Sequence, residues 1–139
     1  LTRIELLLTA APALSEAARH AMMQEAAAIW RQHDVAIEWL APTVVRSVAP
    51  HRMRVLIVEQ RPLMAASENQ FSIGELIRPT GGHPIAFVSI EGARRLMASV
   101  KGRAGYGLIT VDERRLGVVL GRALAHEVGH YLLGTHTHA

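Results

Sequence analysis

The sequence predicts a small α/β (α+β) domain spanning 1–139, with a small mixed sheet, one helix backing it and a buried final helix. Three observations lead there. At 139 residues the chain has the length of one domain with one core. Half of its residues are apolar and 19% are charged, the balance of a folded chain rather than a solvated tail. Apolar stretches of strand length are then interleaved with segments of helical period, in the order β-α-β-β-β-(α)-α.

Each element follows from its residues. In 1–8, Ile4, Leu6, Leu7 and Leu8 are interrupted only by Glu5 and read as a buried strand. Ala11-Pro12 breaks it. Ser15 then offers an N-cap, with Glu16 in the first turn, for a helix running to about His33. Ala18, Met22, Ala26, Ile29 and Trp30 form its apolar stripe. Val35–Leu40 alternates as a second strand that stops at Pro42, and 51–60 contains a third built on Met53, Val55, Ile57 and Val58. From 61 to 84 the prolines and glycines predict loop. The run 85–90, entered through Pro84, reads as a strand at the sheet edge, because proline cannot donate to a ladder.

Residues 91–99 form a short helical candidate, 101–107 a glycine-bearing loop and 108–111 an extended stretch. Thr110 or Asp112 is expected to cap the last helix, which ends after Leu133 at Gly134. That helix is apolar nearly all round, so burial is expected. Gly117, Gly121 and Gly129 each weaken it by about 1 kcal/mol relative to alanine, and their spacing marks a face that another element approaches closely.

Composition excludes several functions. No apolar run reaches the roughly 18 residues of a membrane span. There is no cysteine, so disulfides, thiolate metal sites and thiol nucleophiles are absent and a transition metal would need histidine and carboxylate. Fifteen basic residues against twelve acidic ones give only +3, spread along the chain, with few aromatics, which argues against nucleic acid as partner. The chain opens at Leu1 rather than methionine, which reads as a trimmed N-terminus and leaves both a cytoplasmic and an extracytoplasmic location open.

Histidine carries the chemistry. Four of the eight fall at the end of the chain: His126, His130, His136 and His138. His126-Glu127-Val128-Gly129-His130 is an HExxH, a motif that shuffles of this composition produce about 3% of the time. On a helix the two imidazoles share a face and can reach one metal ion, here Zn2+, while Glu127 sits about 100° round the axis where it can take a proton from water bound at that ion. A catalytic zinc needs a third protein ligand and an open position. No carboxylate side chain follows Glu127, so His136 and His138 remain.

The stretch LGRALAHEVGHYLLGTHTHA resembles the active-site helix and turn of metzincin-like zinc metallopeptidases, within the broader zincin group and nearest its small bacterial members. In the usual spacing His136 occupies the third ligand position but Leu133 stands where the glycine belongs, Gly134 coming one residue late. The small bacterial form implies His138 as third ligand, with His136 the runner-up. The resemblance further implies a zincin-like fold, peptide-bond hydrolysis with Glu127 as general base and a peptide or protein substrate; the family's methionine-bearing turn, downstream of the third ligand, is not among the 139 residues and is either absent or cut away. Its substrate-binding edge strand would map onto Ile85, Ala86, Phe87 and Val88, where an extended peptide could add. Tyr106, between two glycines, is a candidate oxyanion stabiliser. Tyr131 reads as core. Two other roles stay open: a regulatory peptidase that cuts one partner protein, and a non-catalytic zinc-stabilised domain that binds peptide.

Overall fold

The computed structural model describes residues 1–43, 51–60, 73–101 and 109–134. They form a mixed α/β fold with a five-stranded mixed sheet and three helices: β1 (Thr2–Ala10), α1 (Glu16–Arg31), β2 (Val35–Leu40), β3 (His51–Val58), β4 (Gly74–Ile77), β5 (Ile85–Ser89), α2 (Ile90–Lys101) and α3 (Ile109–Leu133). The strand order is β2-β1-β3-β5-β4. The first four of these strands run parallel, and β4 alone is antiparallel to its neighbour β5.

Alternation decides which side chains meet the helices. Ile4, Leu6 and Leu8 of β1, Met53, Val55 and Ile57 of β3, and Ala86 and Val88 of β5 point to one face and are buried there. Helices α1 and α3 supply Ala18, Met22, Ala26, Leu116, Leu120, Leu124 and Val128 to the same core. A buried ion pair, Glu5 with Arg52, lies on neighbouring strands in register, with 3.7 Å between Oε1 and Nε.

The cap of α1 is as the sequence predicts: the Ser15 side chain accepts a hydrogen bond from the Ala18 N–H at 3.1 Å. So is the end of α3, where Gly134 takes φ +67°, a conformation that suits glycine. The start of α3 differs from expectation. The helix begins at Ile109, so Thr110 and Asp112 lie inside its first turn rather than capping it, and 109–111 are helical rather than extended.

Two corrections concern the sheet edge. The segment 61–84 is not all loop, since it contains β4. Consequently β5 is not an edge strand. It is paired on one side with β3 from Arg54↔Ile85 to Val58↔Ser89, and on the other with β4 from Gly74↔Val88 to Ile77↔Ile85. Ile85, Ala86, Phe87 and Val88 therefore have both ladder sides occupied and cannot receive an added peptide strand, and Ala86 and Val88 are fully buried besides. Pro84 meets the proline rule another way: it precedes the strand, and its carbonyl accepts from the Arg54 N–H at 2.9 Å. Among the described residues β2 and β4 are the edges.

The three α3 glycines do mark a close approach. A Cβ on Gly117 would lie 2.3 Å from the Ala18 carbonyl oxygen, and one on Gly121 would lie 2.7 Å from that of Met22. One on Gly129 would lie 3.2 Å from Cζ2 of Trp30. Positions rise together along both helices, so α1 and α3 lie side by side and run parallel. Arg122 adds a charged contact to Glu25 at 3.0 Å on the exposed rim of the same seam.

Candidate active site

The HExxH segment occupies the last third of α3, so the helical repeat alone aligns its residues. The Nε2 atoms of His126 and His130 are 3.0 Å apart, with the rings near perpendicular at 87°. His130 is buried at 7% exposure, whereas His126 opens to solvent. Two nitrogens bound to one zinc at about 2.0–2.1 Å and tetrahedral angles would be about 3.3 Å apart. The pair could therefore share an ion with only a small adjustment of the rings. Among the described residues no group of three or more His, Cys, Asp or Glu is arranged to hold a metal ion. His136 and His138, the two histidines expected to compete for a third position, lie outside the described residues, as does Tyr106.

Glu127 is the most buried polar side chain of the segment, at 3% exposure. It lies against the backbone of β4: a Cβ on Gly74 would stand 2.9 Å from its Oε2 and 3.1 Å from its Cγ. Glycine at this strand position makes the room that the carboxylate fills. Burial first, and the charge of Glu75 second, push the Glu127 carboxyl up from 4.5 to about 7. The Oε2 of Glu75, itself on β4, is buried without a hydrogen-bond partner among the described residues.

A second tie joins the edge strand to the site helix. Arg78, just beyond β4, donates through Nη2 to the His130 carbonyl at 3.2 Å and approaches that of Tyr131 at 3.5 Å. A cation at a helix C-terminus complements the unpaired carbonyls there. Its guanidinium also lies 5.7 Å from the centre of the Tyr131 ring. Tyr131 packs against the core, as expected, and its hydroxyl accepts from the Arg52 N–H at 3.3 Å. His20, His33 and His83 are exposed, and His51 faces the edge of Tyr131 at 6.0 Å.

The sequence pattern identified His126, Glu127 and His130 but not Gly74, Glu75 or Arg78. These three belong to a four-residue strand and its exit, too short to carry a period, and nothing in the sequence pairs them with residues some fifty positions away.

A raised carboxyl leaves a thermodynamic signature. Its folded-state value lies above the ordinary one, so the stabilisation is complete below about pH 4.5 and is lost as pH rises through about 7. In chelator, the urea unfolding free energy of wild type minus that of Glu127→Gln should decline across that window, by about 3 kcal/mol in all. A flat difference would show that Glu127 titrates as an ordinary carboxylate.

No family model, curated protein or solved structure matches this chain, so its function has to be read from the side chains alone.

Proposed function

We propose that the protein is a zinc-dependent peptidase of zincin type, cutting an extended peptide chain held beside α3. The observation that carries this reading is the joint geometry of one helical turn. Two imidazole nitrogens converge to 3.0 Å while a buried carboxylate stands next to them against an edge strand. A solvated helix face would leave the glutamate in water.

His126 and His130 would hold the ion, with His138 as the third ligand. A zinc ion so held supplies Lewis-acid chemistry, polarising a carbonyl and acidifying water. The remaining steps fall to the chain. Glu127 accepts the proton of the attacking water and returns it to the leaving amine. Its position supports this role, because the carboxylate is buried on the same helical turn that carries both imidazoles. The substrate strand would add to β4, whose Gly74 and Glu75 adjoin Glu127, rather than to β5.

Zinc content and cleavage test this together. Protein loaded with one equivalent of Zn2+ should cleave an unstructured peptide, stop with chelator and resume when zinc is returned. His138→Ala should lose zinc and cleavage together, and His136→Ala should keep both. Cleavage untouched by chelation would end the reading, and full zinc content in both variants would remove the tail from the ligand set.

A further inference from the structure

The HExxH turn is gripped from behind by a single side chain of another helix. Trp30, in the last turn of α1, donates its indole N–H to the Ala125 carbonyl at 2.9 Å. The same ring occupies the notch left by Gly129, where a Cβ would stand 3.2 Å from Cζ2 and 3.6 Å from Cη2. Ala125 and Gly129 are one helical turn apart, and each immediately precedes one of the paired histidines. The helix hydrogen bond from the Gly129 N–H also ends on the Ala125 carbonyl. One indole therefore touches both ends of the backbone bond that sets the spacing and rotation of His126 relative to His130.

We propose that Trp30 is a positioning residue for the metal-binding turn, an inference that rests on the peptidase reading above. Packing alone does not require this arrangement. A leucine would fill the seam between α1 and α3, but it would neither donate to a mid-helix carbonyl nor need a glycine opposite. The indole does both, and its contacts fall on the residues next to the two imidazoles rather than at random along α3. Fixing the backbone beneath a ligand pair limits the rotation of both rings, and interactions outside the ligand set that orient ligands commonly change metal affinity 10- to 100-fold.

The test compares wild type with Trp30→Ala, Trp30→Phe and Ile57→Val in the full chain. Ile57→Val trims a buried core side chain of β3 that belongs neither to the turn nor to the assigned ligands. Each protein is titrated with Zn2+ against a chromophoric chelator, its thermal midpoint is recorded, and the visible absorption of its Co2+ form is measured. Trp30→Ala should bind Zn2+ about tenfold more weakly and change the intensity of the Co2+ bands. Trp30→Phe keeps a ring against Gly129, loses only the donor, and should fall between the two. If Trp30→Ala does not fold, Trp30→Phe decides. Ile57→Val should lower the midpoint and leave both metal readouts at wild-type values.

Wild-type zinc affinity and Co2+ bands in the Trp30 variants would overturn the inference while leaving the peptidase reading intact. Equal weakening by Ile57→Val would overturn it also, by reducing Trp30 to a contributor to stability. A wild type that binds no Zn2+ would overturn both.

Discussion

Replacing Glu127 by glutamine should lower peptide cleavage by the zinc-loaded protein by about 10²- to 10⁴-fold while zinc content stays at the wild-type level. Glutamine is the informative choice because the site is tight. The side chain is 3% exposed and in contact with Gly74, so an isostere keeps the packing and removes only the ability to take a proton. Alanine would also remove the proton acceptor but leave a hole against β4. Retained zinc is expected because the ion is assigned to imidazoles. Cleavage within tenfold of wild type would show that another group moves the proton. Zinc binding without cleavage in wild type and variant alike would favour the non-catalytic peptide-binding alternative.

Gly117→Ala should destabilise the protein by about 2 kcal/mol and lower Tm by roughly 6 °C. In an exposed helix the same change stabilises by about 1 kcal/mol, because alanine is the better helix former. Here the added methyl would stand 2.3 Å from the Ala18 carbonyl oxygen, 2.6 Å from Ala21 Cβ and 3.0 Å from the Ala18 carbonyl carbon. Two of these atoms are backbone and cannot rotate away, so α1 and α3 must part. Separation there also costs contacts among Ala18, Met22, Leu120 and Leu124, which are fully buried around the seam. A Tm equal to or above wild type would mean that the two helices are not pressed together at this point.

What could be read in the sequence shares one property: it is local. Strands β1, β2, β3 and β5 announce themselves by runs of branched apolar residues, and α1 by its stripe and Ser15. The HExxH triplet is visible because His126, Glu127 and His130 lie within five positions of one helix. The glycines of α3 pointed to a close neighbour for the same reason, through their spacing, without naming α1 as that neighbour.

What could not be read is held by partners distant in the chain. Gly-Glu-Leu-Ile of β4 has no pattern of its own, and only pairing with β5 makes it a strand. Without β4, β5 reads as an edge strand open to an added peptide, which its two ladders exclude. Trp30 looked like one member of an apolar stripe, because its hydrogen bond joins residues 95 positions apart. Arg78 and His130 are 52 apart. Thr110 and Asp112 are good caps by type, yet α3 begins ahead of both, at Ile109.

The parallel seam of α1 and α3 also sets an order in time. Its ties join positions 95 and 97 apart, Trp30 with Ala125 and Glu25 with Arg122. Loops of that length close slowly relative to local turns, and a chain emerging from synthesis presents α1 long before its partner exists. The turn bearing His126 and His130 acquires its backing only after almost every other described element has been made. A chain interrupted before α3 would hold β1, β3 and β5 without the turn that bears His126, Glu127 and His130. Under the peptidase proposal, the cutting turn is assembled only after every described strand, β1 to β5, has been made.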